Sequence, residues 1–180
     1  MISKIAGAAG AAALLTLGAC ASTPPIQLQN TFKQSDFAWA KAAGNNTITG
    51  SAVLRTVGGE VRSCGGFEVD LIPAVQYSAE RMAHLYGNAQ RGYQPVPTLF
   101  QSTVTFANDP IDYQLVGRKS ACDAQGNFEF RDLPDGGYFV VVPIVWSVPT
   151  GAYSSEPQGG RLMRRVDVAG GKTERVVLTQ

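Results

Sequence analysis

Short stretches of alternating apolar and polar residues recur along this 180-residue chain. Over residues 126–131, Phe128 and Phe130 alternate with polar side chains, and residues 47–55 alternate in the same way after a Gly-Asn-Asn turn at 44–46. An alternation of period two places one face of a β-strand in the core and leaves the other face in solvent. Several such strands, separated by glycine-containing turns, predict an all-β sandwich.

The rest of the chain adds further strands and a single helix. Residues 77–86 are tolerable helix formers, which Ser78 can cap and Gly87-Asn88 can end. Residues 92–97 are predicted as a loop, and Pro143 indicates a bulge or a nearby sheet edge. Strands are predicted over residues 67–71, 99–106, 113–119 and 137–146, and a closing hairpin over 161–168 and 172–179.

The first 20 residues have the layout of a secretory signal. Lys4 supplies a positive charge, an uncharged run of about 15 residues follows, and small residues end it. A helix needs about 20 apolar residues to cross a bilayer, so this run is too short for a retained membrane span.

The run ends in Leu17-Gly18-Ala19-Cys20. These residues resemble the lipobox of bacterial lipoproteins, in which a leucine and two small residues precede a cysteine. The resemblance implies that the Cys20 thiol is joined to diacylglycerol and that residues 1–19 are removed as a signal peptide. It also implies that the new amino group is acylated, with palmitate as the expected acyl chain.

The residue after the lipid-bearing cysteine is Ala21. In the lipoproteins that this motif resembles, an aspartate at that position tends to retain the protein at the inner membrane. Ala21 therefore implies lipid anchoring in the cell outer membrane, which we expect to be on its periplasmic face. Residues 21–31 are polar and contain Pro24-Pro25, so residues 20–35 are predicted as a lipidated tether and residues 36–180 as the folded domain.

Two further cysteines, Cys64 and Cys122, remain once Cys20 carries the lipid. Disulfides persist in exported proteins, so we predict a single bridge between them. A metal site is the competing interpretation, but the chain has one histidine, His84, and no CxxC spacing.

A longer pattern starts at Cys122: an Asp-x-x-Gly-x-Phe turn enters a strand, and Leu133-Pro134-Asp135-Gly136-Gly137-Tyr138 follows. It resembles the carboxypeptidase regulatory-like domain. That family implies a transthyretin-like (prealbumin-like) β-sandwich of about seven strands. This chain departs from the family by a long insert at 73–121, which carries the helix and is the first candidate for a function of its own.

Composition and motifs exclude several classes of function. After loss of Lys4 with the signal, 14 basic residues face 14 acidic ones, so no footprint for nucleic acid is expected. No motif for a catalytic nucleophile, metal or phosphate is present, and Glu80 with His84 is interpreted as an ordinary surface pair. We therefore expect a non-enzymatic protein without catalytic residues, metal or cofactor.

Four arginines near the end of the chain are interpreted as guarding a sheet edge, or as contacts for anionic lipid headgroups: Arg161, Arg164, Arg165 and Arg175.

Two functions fit these observations. The first is a structural or interaction module whose partner is another protein of the cell envelope. The alternative is a glycan- or peptidoglycan-binding module, because exposed aromatic rings can stack on sugars. The candidate ligand contacts are Trp39, Tyr93, Trp146 and Tyr153.

Overall fold

Two β-sheets stacked face to face form the body of the protein in a computed structural model, which describes residues 24–97 and 103–180. The sheets hold nine strands in the described part of the chain, joined by one α-helix and two short 3₁₀ helices. The predicted all-β sandwich is confirmed, with two more strands than the expected seven. Among the described residues, no helix has the length and apolar character needed to cross a membrane.

The smaller sheet has four strands and is centred on β1. One edge of β1 pairs in parallel with β9, and the other edge pairs antiparallel with β6 and then with β2. Ala52 marks the change of partner, because its N–H donates to the carbonyl of Gly126 and its carbonyl accepts from the N–H of Cys64. The strands are β1 (Asn46–Arg55), β2 (Val61–Ser63), β6 (Asn127–Leu133) and β9 (Thr173–Leu178).

The larger sheet has five antiparallel strands in the order β4-β8-β7-β3-β5. Its centre is a long hairpin in which β7 and β8 pair over 14 residues each. The strands are β3 (Glu68–Pro73), β4 (Arg91–Pro95), β5 (Arg118–Ala121), β7 (Gly136–Pro149) and β8 (Ser155–Val168).

The core lies between the two sheets and follows the predicted alternation. Phe128 and Phe130 point inward from β6 and are each 4% exposed, while Glu129 between them faces solvent. Ile48 and Leu54 of β1 are buried in the same cluster. Burying the apolar side of each strand is what drives the two sheets together.

A single α-helix, α1 (Gln76–Tyr86), covers the outer face of the five-stranded sheet. Met82 of the helix packs against Phe139 and Met163 of the sheet. The helix begins earlier than predicted, so Ser78 lies in the first turn rather than at the cap. Its hydroxyl oxygen accepts the N–H of Val75, the residue before the helix. Gly87 ends the helix as predicted, with a left-handed φ of 78°.

The predicted insert 73–121 is part of the sandwich, because it supplies both edge strands of the larger sheet. The expected loop at 92–97 is wrong, since β4 runs through most of it and pairs with β8. The expected strand at 113–119 is replaced by a 3₁₀ helix, Ile111–Leu115, followed by β5. Of the expected strand at 99–106, residues 99–102 lie outside the described residues, and Phe106 makes only an isolated bridge.

The expected closing hairpin at 161–179 is also wrong. Strand β8 belongs to the five-stranded sheet, whereas β9 pairs with β1 in the other sheet. The turn at 169–171 therefore carries the chain from one sheet to the other. A glycine turn permits both connections, and long-range pairing decides between them.

Pro143 lies beyond the last residue of β7 that pairs with β3, which is Val141. The carbonyl of Gly137 accepts the N–H of Ala74, so odd-numbered residues of β7 direct their backbone groups toward β3. Pairing between β3 and β7 stops at Val141, so the missing N–H of Pro143 costs no hydrogen bond between these two strands.

The segment predicted as a tether to residue 35 is folded from at least residue 26. Ile26 bridges to Phe106, and the N–H groups of Gln29 and Asn30 donate to the Glu80 carboxylate at 2.6 and 2.8 Å. The segment has the polar composition of a linker, but its backbone N–H groups donate hydrogen bonds to the helix. The folded domain therefore starts before residue 36, and residues 20–23 lie outside the described part of the chain.

Arg81 holds the helix to the segment that follows β4. It is 8% exposed, and its guanidinium contacts the Asp109 carboxylate at 2.7 Å. The same group lies 4.1 Å from the ring centre of Phe106 and 4.6 Å from that of Tyr113. These contacts order a region that sequence patterning does not predict.

The predicted disulfide between Cys64 and Cys122 is confirmed, with 5.7 Å between the two Cα atoms. Cys64 follows β2 and Cys122 follows β5, so the bridge joins the two places where the chain crosses between sheets at this end. Both residues are buried in the inter-sheet core.

Candidate functional site

The four aromatic residues predicted as ligand contacts do not form one cluster. Trp39 packs on Tyr138, with 5.3 Å between ring centres, and lies against Gly136. Tyr153 is fully exposed in the turn between β7 and β8. Neither residue has a second predicted aromatic residue beside it, and Trp39 has a packing role.

The other two, Tyr93 and Trp146, meet at Gly159 and Gly160 of β8. A Cβ at Gly159, where φ is +97°, would lie 2.7 Å from the Trp146 ring, and one at Gly160 would lie 2.7 Å from the Tyr93 ring. The absence of side chains there lets both rings approach the backbone of β8. The Tyr93 hydroxyl donates to the carbonyl of Gly159 at 2.8 Å, which fixes the ring.

Tyr93 lines a cavity of about 340 Å³, which we call the edge cleft. The cleft lies between the two sheets, where the edge strands β4 and β9 leave the sandwich open. Its volume is at the lower end of the range of about 300–1,000 Å³ found for small-molecule sites. It is lined by Asn88, Arg91, Gly92, Tyr93, Met163, Arg164, Val177, Leu178, Thr179 and Gln180.

Two arginines face each other in the edge cleft. Arg91 of β4 is the direct cross-strand partner of Arg164 of β8, and Tyr93 is the partner of Leu162 two residues away. Because side chains alternate along a strand, both arginines lie on the same side of the sheet as Tyr93. The cleft therefore combines one aromatic ring with two guanidinium groups.

The polar side chains of the cleft complete its chemistry. Asn88 comes from the turn after the helix, and its side-chain oxygen accepts the N–H groups of Gln90 and Arg91. Thr179 and Gln180 are exposed on the opposite wall. Burial raises the pKa of the Tyr93 phenol, whose hydroxyl already donates to the carbonyl of Gly159. Such a wall of donors around a ring can hold a polar ligand that has a flat apolar face.

A second cavity, of about 450 Å³, lies on the outer face of the four-stranded sheet. Its two carboxylates already have protein partners: Glu129 forms an ion pair with Arg131 at 2.8 Å, and Asp123 accepts the N–H of Asn127 across the turn. That hydrogen bond, with others in the same turn, holds the pKa of the Asp123 carboxyl below its usual value. The aromatic residue on its lining, Phe128, points into the core. This cavity is therefore the weaker candidate.

The remaining predicted sites resolve into structural roles. Glu80 of the Glu80–His84 pair accepts hydrogen bonds from the N-terminal segment, chiefly from the N–H of Gln29, and these lower the pKa of its carboxyl. The described residues contain no group of three or more histidine, cysteine or acidic side chains that could hold a metal.

The interpretation of the arginines as edge guards is wrong for β8, which lies between β4 and β7. Arg164 faces the edge cleft, whereas Arg165, its neighbour on the opposite side of the strand, pairs with Asp167 at 3.1 Å. Sequence patterning missed Arg91 because it adjoins a segment predicted as loop. The sequence feature that could have indicated this site is Arg164, a charged residue within the alternating apolar series Leu162, Val166 and Val168.

Comparison with known proteins agrees with the fold. No family model matches the chain, and no curated protein matches it. A crystal structure from Pseudomonas aeruginosa, of a protein described as a "putative carbohydrate binding protein", is similar with a TM-score of 0.65 and 21% identity. The similarity covers 84% of this chain and 99% of that one. It establishes a shared β-sandwich fold.

Proposed function

We propose that this chain is a lipid-anchored, non-enzymatic carbohydrate-binding module of the cell envelope. The edge cleft carries the proposal, because it sets the half-buried ring of Tyr93 among several hydrogen-bonding side chains. Sugar rings have a flat C–H face that stacks on aromatic rings and hydroxyls that need polar partners. The similar fold of a protein described as carbohydrate-binding adds support.

The anchor and the location belong to the same proposal. Cys20 lies outside the described residues, so the lipobox resemblance supports them, together with Ala21 at the next position. We propose attachment to the outer membrane on the periplasmic side. A module held there through several acyl chains would stay on the membrane, since two chains already give stable anchoring.

A protein partner in the envelope is the second candidate function. Ile111 and Leu115, in the 3₁₀ helix before β5, are 79% and 72% exposed. Exposed large apolar side chains mark contact surfaces when they are contiguous.

Replacing Cys20 by alanine is expected to abolish lipid attachment. The variant has no thiol at the lipobox position, so radiolabelled palmitate should enter the wild-type protein and not Cys20→Ala. Ser22→Ala, two residues away, should keep the label. Mass spectrometry of the mature N-terminus measures the outcome, and a wild-type protein without an acylated Cys20 would refute the anchor.

Replacing Tyr93 by alanine is expected to weaken saccharide binding about tenfold, because the stacking surface is lost. The measurement is affinity on an array of neutral and acidic bacterial saccharides that includes peptidoglycan fragments. Tyr93→Phe should bind nearly as the wild type, since it keeps the ring and loses only the hydroxyl. Tyr153→Ala, in the exposed turn, is the matched control and should not change binding. No binding by the wild type to any saccharide would overturn the proposal.

A further inference from the structure

Arg164 occupies a position that belongs to the core side of its sheet. On β8 its same-side neighbours are Leu162 and Val166, and both pack in the inter-sheet core. Its cross-strand partner on β7, Val140, is fully buried in that core. Arg164 is exposed nevertheless, because it lies where the edge cleft opens.

Arg91 and Arg164 form a like-charged pair without a protein counterion. Like charges directly opposite each other on neighbouring strands destabilise a sheet. In the described part of the chain, no carboxylate lies within 4.0 Å of either guanidinium. Residues 1–23 and 98–102 contain no aspartate or glutamate, so they supply no acidic side chain either.

We infer that the saccharide bound in the edge cleft is anionic and that Arg91 and Arg164 hold its carboxylate. This inference rests on the proposed function and adds the ligand class. Directly opposite residues have Cβ atoms about 5 Å apart, so the two long side chains can reach one anionic group together. A guanidinium matches a carboxylate with two parallel hydrogen bonds, and Tyr93, two residues from Arg91 on β4, lines the same cleft for contact with the rest of the saccharide.

The test compares acidic saccharides with their methyl esters, which keep the sugar and remove the charge. Digalacturonic acid and its dimethyl ester are one such pair, and the whole array can be esterified in duplicate. The wild-type protein is expected to bind acidic forms about tenfold or more tightly than the esters. This preference should decrease with added salt, because exposed charges are screened.

The double variant Arg91→Gln with Arg164→Gln should bind acid and ester equally. The control, Arg161→Gln with Arg175→Gln, removes the same charge outside the arginine pair and should keep the preference. Thermal unfolding should show the first variant at least as stable as the wild type, because the repulsion is relieved.

Equal wild-type affinity for acids and esters would overturn the inference, as would an unchanged preference in the Arg91/Arg164 variant. Binding to phosphatidylglycerol vesicles in place of acidic saccharides, lost in the same variant, would also overturn it in favour of a membrane surface. If no saccharide binds at all, the proposed function itself fails. A different result is that the wild-type protein binds neutral saccharides and loses this binding in Tyr93→Ala. That result would contradict only the inference that the ligand is anionic.

Discussion

The variant Asn46→Ala should lose about 3 to 5 kcal/mol of folding free energy, because four hydrogen bonds, one buried and three partly buried, disappear together. Asn46 is fully buried at the start of β1. Its side-chain N–H groups donate to the carbonyl of Leu133 and to Asp135, at 2.9 and 2.8 Å. Its side-chain oxygen accepts the N–H groups of Gly171 and Lys172.

Those four hydrogen bonds join the turn after β6, the turn after β8 and the start of β1. Alanine leaves a buried carbonyl and two N–H groups without their partner, each of which costs about 1–3 kcal/mol unless water replaces it. Urea unfolding measures the loss. Asn45→Ala, an exposed neighbour with the same substitution, should change stability by less than about 0.5 kcal/mol. Equal effects of the two substitutions would contradict this role of Asn46.

The same variant should also change the titration of Asp135. The hydrogen bond from Asn46, together with one from the N–H of Gly170, lowers the pKa of the Asp135 carboxyl below its usual value of 3.8. A lowered pKa in the folded state stabilises the protein above pH 3.8, and that contribution is lost as the pH falls through the folded value. In Asn46→Ala the pKa of Asp135 should rise toward 3.8, which NMR titration can follow.

Removal of the Cys64–Cys122 bridge is the second change with a large expected effect. The double variant Cys64→Ala with Cys122→Ala should lose about 2–5 kcal/mol of stability, because the bridge closes a long loop of the unfolded chain. The separation of the two cysteines is 58 residues. The bridge also ties both crossings between the sheets at one end of the sandwich, so its loss should loosen β2 and β5 together.

Unfolding curves with and without reductant separate the bridge from the packing of the two side chains. Reductant should destabilise the wild-type protein and leave the double alanine variant unchanged. Asn46→Ala serves as a second control, since it should remain sensitive to reductant. A wild-type protein whose unfolding midpoint does not move on complete reduction would contradict a stabilising bridge.

The alternating segments were predictable because their signal is local. In β6, each residue's neighbours at two-residue spacing already indicate which side chains are buried, and Phe128 and Phe130 lie where the pattern places them. The helix was predictable for the same reason, since a glycine with positive φ at its end is a local requirement. The pairing of Cys64 with Cys122 is predictable from the number of cysteines, because only these two remain once Cys20 is taken to carry the lipid.

The candidate site was only partly predictable. The residue type of Tyr93 predicts a ligand contact, but its neighbours in the cleft come from segments that are distant in sequence. Trp39 shows the opposite outcome: an aromatic residue of the right type proves to be packed on Tyr138. A residue type indicates what a side chain can bind, whereas only its surroundings indicate whether it is free to do so.

By itself the sequence determined the clearly alternating strands such as β1 and β6, the helix α1 and the disulfide, since period, turn chemistry and cysteine number are properties of short segments or of composition. Only the tertiary structure decided that β9 leaves β8 for β1, that Asn46 lies buried instead of in an open turn, and that Arg91 faces Arg164. These facts depend on register between strands far apart in the chain. Register is chosen by the packing of both sheets at once, because a shift of one residue would turn every core side chain toward solvent.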